Sequence, residues 1–303
     1  MVGILDYISE DLKLDKTYLD NLINNSEKYY REYEIKKANG GKRRISHPSP
    51  EIKTLQYWCA ENIFSLLPIS DVAFAYRKGF SIKNHAEFHA DSRFILHLDI
   101  KNFFESITAS HIHKLIYQNK DLFEKMEFDI LSSVDTINKI CLKNGRVSIG
   151  SVSSPIISNV VLNDFDNAIV PYCNSHGLKY SRYADDMYVS SSKYIDSSVI
   201  EMFGAELKKR SFEINYSKTR FMSQKRRKTV TGLIITCEKK VTVGLELRRR
   251  IKSMVYKKIT KDEGNSDVIM GYLSFLKDIE PLSYNRIIIK YSKYGNVLEK
   301  ILS

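Results

Sequence analysis

Acidic side chains stand at the ends of apolar, strand-like segments of this 303-residue chain. Asp99 closes the segment 93–99, and Asp185 and Asp186 stand side by side within the segment 179–190. Adjacent carboxylates on a turn between apolar strands lose solvation and repel each other, which is costly unless a cation balances them. A divalent metal ion supplies that balance, but a solvated Asp-Asp turn is the simpler alternative and is favoured from the pair alone. Any fold for this chain therefore has to accommodate carboxylates where apolar strands end.

Positive charge is concentrated in one part of the chain. The sequence contains 47 Lys and Arg against 36 Asp and Glu, a formal net charge of +11. Residues 205–261 hold 18 of the basic residues and only 4 of the acidic ones, so the rest of the chain is slightly acidic. A surface that serves only solubility intersperses the two signs. The one-sign segment indicates a polyanionic partner, with nucleic acid favoured over a solubility patch.

Apolar runs in the sequence are short. Apolar residues make up 43% of the chain, enough for a packed core, but the longest aliphatic runs are too short for a transmembrane helix. Asp6 and Glu10 fall where a signal peptide needs an apolar run. The four cysteines lie far apart, so they predict neither a zinc site nor a disulfide framework. We therefore expect a cytoplasmic protein without a membrane partner.

Periodic patterns predict helices and strands in irregular alternation. The turn at 39–41 predicts a hairpin, and Pro155 opens a helix that is predicted to run to about Ile169. A second hairpin is predicted within 230–243, followed by a basic helix over 245–259. Strands separated in this way by helices favour an α+β fold over a parallel, doubly wound sheet.

Four sequence blocks, taken in order, resemble those of reverse transcriptases. Tyr183-Ala184-Asp185-Asp186 resembles the Y-x-D-D box, and the strand 94–99 with the following Ile-Lys-Asn-Phe-Phe resembles the first catalytic block. The segment 150–159, which contains Ser-Pro, is similar to the second block, and 212–219 is similar to a later block that carries an Asn and a Lys. Four blocks in the right order, over about residues 42–245, are far more specific than any one of them.

Further segments resemble signatures of bacterial retron reverse transcriptases. They are Asn84, Ala86 and His89 of an N-A-x-x-H pattern, Val230, Thr231 and Gly232 of a V-T-G pattern, and the segment 271–275. The chain departs from the family at His85, where Asn is usual, at Ile149, where Gln is common, and at Val152, where Pro is frequent. The three carboxylates are intact, whereas a degenerate, non-catalytic relative would be expected to lose them first.

The resemblance implies a two-metal polymerase site. Asp99, Asp185 and the backbone carbonyl of Ile100 would hold two Mg²⁺ ions, with Asp186 in support. A primer hydroxyl would attack the α-phosphate of a deoxynucleoside triphosphate. Lys218 would protonate the pyrophosphate leaving group, with a nucleic-acid contact as the alternative.

The resemblance also implies nucleotide contacts. Phe104 stands where the family places a bulky gate against a ribose 2′-OH, with plain core packing as the alternative. The other nucleotide-binding candidates are Arg43, Arg44, Arg77, Lys78 and Gly150. Guanidinium and ammonium groups suit phosphate, but an ordinary exposed charge is the alternative for each of these cations.

The basic segment is expected to contact nucleic acid. Its candidate residues are Lys225, Arg226, Arg227, Arg248, Arg249, Arg250 and Lys252. A thumb with this charge would clamp a template–primer duplex by its phosphates and recognise an A-like shape rather than a sequence.

The architecture implied by the resemblance is a right-hand polymerase of the α+β class, with a mainly antiparallel palm sheet. Fingers are expected at 1–92 with a helical insertion at about 105–147, the palm at 93–240, and a basic helical thumb at 241–303.

The implied activity is that of a retron reverse transcriptase, an RNA-directed DNA polymerase and hence a nucleotidyltransferase. Such an enzyme copies its cognate structured noncoding RNA from dNTPs, primed from an RNA 2′-OH. Its product is multicopy single-stranded DNA (msDNA), and its usual role is antiphage defence together with a toxic effector protein. The alternatives are another defence-associated bacterial reverse transcriptase and a non-catalytic RNA-binding relative.

Overall fold

The computed structural model describes residues 3–36, 40–223, 225 and 227–302, which divide into two compact units. The first unit comprises Met1–Lys78, Leu98–Met187 and Asp196–Thr219. The second comprises Gly79–His97, Tyr188–Ile195 and Arg220–Ser303. No helix within the described ranges is long and apolar enough to cross a membrane.

The strands form three sheets. They are β1 (Tyr30–Lys36), β2 (Lys42–Pro48), β3 (Phe94–Asp99), β4 (Lys179–Tyr183), β5 (Asp186–Ser191), β6 (Arg220–Ser223), β7 (Lys228–Val230), β8 (Leu233–Ile235) and β9 (Val241–Thr242). The sheets have the orders β1-β2, β4-β5-β3-β6 and β7-β8-β9. β1 and β2 pair antiparallel, which confirms the first predicted hairpin, although Asn39 of its predicted turn lies outside the described residues. The pairing of β8 with β9 confirms the second.

Helices account for much of the remaining chain. They are α1 (Ile4–Leu12), α2 (Lys16–Asn24), α3 (Pro50–Asn62), α4 (Ile82–Phe88), α5 (Phe103–Ser106), α6 (Ala109–Gln118), α7 (Val134–Cys141), α8 (Ser154–Val161), α9 (Asn163–Ser175), α10 (Ser198–Lys208), α11 (Leu245–Lys261), α12 (Ser266–Ile279), α13 (Pro281–Tyr291) and α14 (Val297–Leu302). Helices combined with antiparallel strand pairs confirm the α+β class.

The single helix predicted from Pro155 to about Ile169 was wrong, because the structure has two helices there. α8 ends at Val161, and α9 begins at Asn163 and continues to Ser175. The first turn of α9 contains two aspartates, and acidic side chains stabilise a helix start because the N-terminal end of a helix carries partial positive charge.

A buried ion pair joins α9 to β4 in the first unit. Arg182 Nε donates to both carboxylate oxygens of Asp166, at 3.1 and 2.8 Å, and both side chains are fully buried. Tyr180 Oη donates to the same carboxylate at 2.8 Å, and the other guanidinium nitrogens donate to Asn159 on α8. Burial raises the pKa of Asp166, and the charge of the guanidinium opposes that rise. The network fixes the strand that leads into the turn containing Asp185.

The second unit has an apolar core built mainly by its C-terminal helices. Ile251 and Val255 on α11 are fully buried, and they share one cluster with Ile269 and Leu273 on α12. These residues recur at helical spacing, so each helix buries one face. Much of the basic character of α11 is consequently left on its solvent side.

Replacement of Asp166 by Asn is expected to lower the free energy of unfolding by about 3–5 kcal/mol, because the buried guanidinium of Arg182 loses its counter-charge. Urea denaturation of the full chain measures the change. Asp6→Asn is the matched control, since Asp6 pairs with Lys16 at the surface and its loss should barely move the midpoint. Equal midpoints for Asp166→Asn and the unchanged protein would contradict the stabilising role of the buried pair.

Candidate active site

Backbone hydrogen bonds within the first unit bring Asp99 and Asp185 together. β3 ends at Asp99, and Asp185 lies in the turn between β4 and β5, where Ala184 has a φ of +57°. The backbone N–H of Ile100 donates to the carbonyl of Asp185 at 3.2 Å, and the carbonyl of Asp99 accepts from the N–H of Asn215 at 2.7 Å. These backbone bonds tie residues that are distant in the sequence into one junction.

A cavity of about 750 Å³ opens at this junction. Its lining includes the predicted site residues Arg43, Arg44, Asp99, Ile100, Phe104, Gly150, Asp185 and Lys218. Asp186, the first residue of β5, is half-buried and is not among the lining residues. The structure thus brings the predicted catalytic positions other than Asp186, and four of the predicted nucleotide-binding positions, into one cavity.

The junction carries more negative charge than its own cations balance. Burial, and then the charges of Asp186 and Asp99, raise the pKa of Asp185 to about 6. Lys218 Nζ donates to Asp99 Oδ2 at 2.7 Å. Partial burial disfavours the lysine's charge, but the hydrogen bond and the charge of Asp99 raise its pKa overall. One ammonium group therefore faces several carboxylates.

The donor atoms fit a divalent cation. Asp99 Oδ1 is buried, and no described residue forms a hydrogen bond with it, which is costly unless a cation satisfies it. With the carboxylate of Asp185 and the carbonyl of Ile100, it gives the hard oxygen ligands that Mg²⁺ and similar ions take together with substrate phosphates. Over residues 3–36, 40–223, 225 and 227–302, no group of three or more His, Cys, Asp or Glu side chains has metal-site spacing. The donor set that suits a cation therefore consists of two carboxylates and one carbonyl. Phosphate oxygens of a bound substrate would complete the coordination.

The β1–β2 hairpin supplies the cavity with cations. Arg43 and Arg44 on β2 both line it. Glu32 on β1 forms ion pairs with Arg44 and with Lys143. Hydrogen bonds from Lys143 and then from Arg44 lower the pKa of Glu32 to about 2. Glu32 therefore holds Arg44 in place while leaving it at the edge of the cavity.

Gly150 stands where no other residue fits. Its φ is +117°, and a Cβ added there would lie 2.8 Å from the backbone oxygen of Ser46. The same stretch is bound to β2, since the N–H of Ser46 donates to the carbonyl of Ile149 at 2.9 Å. The absence of a side chain lets this loop lie directly against the hairpin that carries the arginines.

The two adjacent phenylalanines on α5 have different surroundings. Phe103 is buried and its ring lies 6.0 Å from that of Phe212. Phe104 is half-buried, and like Phe103 it contributes to the cavity wall. Phe104 is the more accessible of the two.

Arg77 and Lys78 are not among the residues that line the cavity. The Arg77 guanidinium donates to the carbonyls of Ser70 and Ala73, at 3.0 and 3.1 Å, and pairs with Asp71 at 3.6 Å. Lys78 is exposed. Arg77 therefore braces its own loop in this structure.

The basic candidates of the second unit are mostly exposed. Lys225, Arg227, Arg249, Arg250 and Lys252 are exposed, whereas Arg226 lies outside the described residues. Arg248 is half-buried and donates to Glu280 at 3.3 Å. The guanidinium of Arg250 lies 5.4 Å from the ring centre of Tyr272. Exposed charges of one sign on this unit suit a polyanionic partner.

The two retron-like patterns meet in the second unit. The residues are Asn84 and Ala86 on α4, His89 just after it, and Val230, Thr231 and Gly232 at the end of β7. Thr231 Oγ1 donates to the carbonyl of Ile82 at 3.3 Å, and its N–H donates to Tyr188 Oη at 3.1 Å. Ala86 and Val230 are buried in the same apolar cluster, and a hydrogen bond of 2.7 Å joins His89 Nδ1 to Ser190 Oγ. Residues of both patterns therefore pack and form hydrogen bonds within this unit.

Sequence reasoning missed three residues around the cavity. Arg182 and Asn159 carry the buried network, and Tyr76 lines the cavity. The signal for Arg182 was available, because an arginine inside an apolar strand needs a buried partner. Tyr76 gave no local signal.

Comparisons with known proteins agree with this geometry. Residues 35–235 match the family described as reverse transcriptase (RNA-dependent DNA polymerase). The retron Ec83 reverse transcriptase of Escherichia coli is 31% identical over 278 residues, covering 88% of each chain. The retron Ec86 reverse transcriptase of the same organism is 31% identical over 294 residues, covering 94% of this chain and 88% of the relative.

The fold also resembles a solved structure. Apo telomerase from Candida tropicalis superposes with a TM-score of 0.50 at 11% sequence identity. The match covers 90% of this chain and 61% of the telomerase chain, so this chain spans less than two thirds of that protein. Together with the sequence matches, the comparisons show that the chain is a reverse transcriptase of the retron group, an RNA-directed DNA polymerase.

Proposed function

We propose that this chain copies part of its own structured noncoding RNA into DNA, primed from an RNA 2′-OH. The product is msDNA, and the role is antiphage defence in the cytoplasm with a toxic effector protein as partner. The observation that carries the enzymatic part is the junction of Asp99 and Asp185 beside Lys218 in one cavity. Positioning and charge neutralisation are what phosphoryl transfer requires of a protein. The retron part rests on the named relatives.

Asp99, Asp185 and the carbonyl of Ile100 are the proposed ligands of two Mg²⁺ ions, with Asp186 in support. Ions held by these groups would supply positive charge that activates the primer hydroxyl and stabilises the leaving oxygen. In the reaction, the primer hydroxyl loses its proton to solvent water as its oxygen forms a bond to the α-phosphorus of a dNTP. The bond from that phosphorus to the bridging oxygen breaks, and pyrophosphate leaves.

Lys218 is the proposed proton donor to the pyrophosphate. Its raised pKa keeps the amine protonated at neutral pH, and its side chain is half exposed at the cavity. Arg43 and Arg44 are proposed to hold the triphosphate, and Phe104 to exclude a ribose 2′-OH. Gly150 is proposed to contact the nucleotide through its backbone, since the missing Cβ lets its loop pack against Ser46 at the cavity.

The chain organisation is proposed to follow that of a right-hand polymerase. Fingers extend over 1–92 with an insertion at about 105–147, the palm over 93–240, and the thumb over 241–303. The exposed cations of the basic segment are proposed to bind the phosphates of the template–primer duplex. Arg77 and Lys78 remain candidates for a nucleotide contact only if their loop changes conformation.

Asp99→Asn and Asp185→Asn are each expected to lower primer extension on an RNA template by about 1,000-fold or more, because each removes a metal-binding charge worth several kcal/mol in the transition state. Single-nucleotide extension measures the loss, and RNA affinity should be unchanged. Asp135→Asn is the control, since Asp135 is an exposed carboxylate on α7. Full biological function of Asp185→Asn would instead identify a non-catalytic RNA-binding protein.

Cells that carry this chain with its neighbouring noncoding RNA locus are expected to accumulate short DNA joined to RNA through a 2′–5′ branch. Debranching enzyme should shift the mobility of this product on a denaturing gel, and the Asp185→Asn strain should lack it. Unbranched complementary DNA as the main product would favour another defence-associated reverse transcriptase.

Binding of an RNA–DNA hybrid is expected to weaken steeply with salt, by about 10³- to 10⁵-fold between 50 and 200 mM if 6–10 phosphates are neutralised. Fluorescence anisotropy over a salt series measures the slope of the logarithm of the binding constant against the logarithm of the salt concentration. Arg249→Gln and Lys252→Gln should each reduce that slope by about one. An affinity that stays flat over the series would contradict a phosphate-binding role for the basic segment.

A further inference from the structure

Tyr76 has a backbone conformation that its side chain disfavours. Its φ is +58°, in the left-handed region, where a bulky residue with a Cβ is strained. Strain of this kind persists only where the surrounding structure imposes it, and it concentrates at functional sites. The contacts around Tyr76 therefore indicate what the strain achieves.

Hydrogen bonds from the buried network fix the residues before Tyr76. The N–H of Phe74 donates to the carbonyl of Arg182, and the N–H of Arg182 donates to the carbonyl of Val72, both at 2.8 Å. Asn159 Nδ2 donates to the carbonyl of Ala75, also at 2.8 Å. The chain thus enters position 76 along a path set by β4 and α8.

The residue after Tyr76 closes the loop. Arg77 donates from its guanidinium to the carbonyls of Ser70 and Ala73, so the chain turns back on itself after position 76. With both sides held, Tyr76 cannot relax its backbone without breaking these bonds.

The result is an aromatic ring in the cavity. Ala73, Phe74 and Ala75 are buried, whereas Tyr76 is 50% exposed and lines the cavity together with Asp185. In an ordinary core position this ring would be buried, because burial of an aromatic side chain stabilises the folded state. The strained turn instead exposes it beside the catalytic carboxylate.

We propose that the ring of Tyr76 stacks on a nucleobase held in this cavity, and that Asn159 and Arg182 position it. An exposed aromatic face is the usual protein surface for a nucleobase, since every base has a π-face. The base belongs either to the incoming dNTP or to the template. The inference rests on the proposed polymerase function, and it identifies a determinant of nucleotide affinity in that site.

Tyr76→Gly removes the ring and keeps the backbone conformation, because glycine adopts a positive φ without strain. The variant is tested in the full chain with an RNA template and a dideoxy-terminated primer, so that dNTP affinity is measured without extension. If the ring stacks on the incoming base, its loss is expected to raise the Kd of dATP by about 5- to 100-fold, and that of dTTP by less, because purines stack over a larger area. Tyr76→Phe keeps the ring and should restore both affinities.

A second arm identifies which base is stacked. Affinity for a primer–template is compared with that for the same duplex carrying an abasic site at the templating position. If the ring stacks on the template, Tyr76→Gly abolishes the difference between these duplexes and leaves dNTP affinity unchanged. If it stacks on the incoming base, the difference persists and dNTP affinity falls.

Tyr194→Gly is the matched control, because Tyr194 is 72% exposed and lies outside the cavity. It should bind like the unchanged protein. Unchanged affinities of Tyr76→Gly in both arms would overturn the inference, and so would equal losses in Tyr76→Phe and Tyr76→Gly, which would assign the effect to the hydroxyl. Failure of the unchanged protein to extend a normal primer would refute the polymerase function instead.

Discussion

Unbalanced negative charge at the junction of Asp99 and Asp185 is the constraint on which the rest of the active site depends. Burial and neighbouring carboxylates raise the pKa of Asp185 to about 6, and the single ammonium of Lys218 offsets only part of the charge. Asp99 Oδ1 has no hydrogen-bond partner among the described residues. A divalent cation would both relieve the repulsion between the carboxylates and coordinate that oxygen. The features that destabilise the isolated junction are therefore the ones that a divalent cation would offset.

A site with stored electrostatic repulsion needs a rigid frame, and the buried network around Arg182 provides it. The guanidinium holds Asp166 on α9 and Asn159 on α8, while the backbone of the same residue binds the loop that precedes Tyr76. Arg182 lies three residues before Asp185. One buried residue thus connects the turn that carries Asp185 with the loop that exposes the ring of Tyr76 to the cavity. The stability of the first unit and the proposed nucleotide contact therefore depend on the same network.

Local signals explain what could be predicted from the sequence. Carboxylates at strand ends, the pairing of β1 with β2, and the apolar stripe of α11 all depend on neighbouring residues, and the sequence predicts them. The break between α8 and α9 had a signal in Asn163-Asp164 that the continuous apolar pattern obscured. The conformation of Tyr76 had none, because distant residues impose it. The nucleotide contact that the resemblance implies for Arg77 stays a prediction, and the hydrogen bonds from its guanidinium to the carbonyls of its own loop had no signal in the sequence.

The most direct test is to locate the cation. Crystals of the full chain with Mn²⁺, an RNA template, a dideoxy-terminated primer and a dNTP would be measured at the manganese absorption edge. We expect an anomalous peak at about 2.1 Å from Asp99 Oδ1 and from a carboxylate oxygen of Asp185, with the triphosphate in the same coordination shell. A nucleotide bound in the cavity with the peak away from both carboxylates would contradict it.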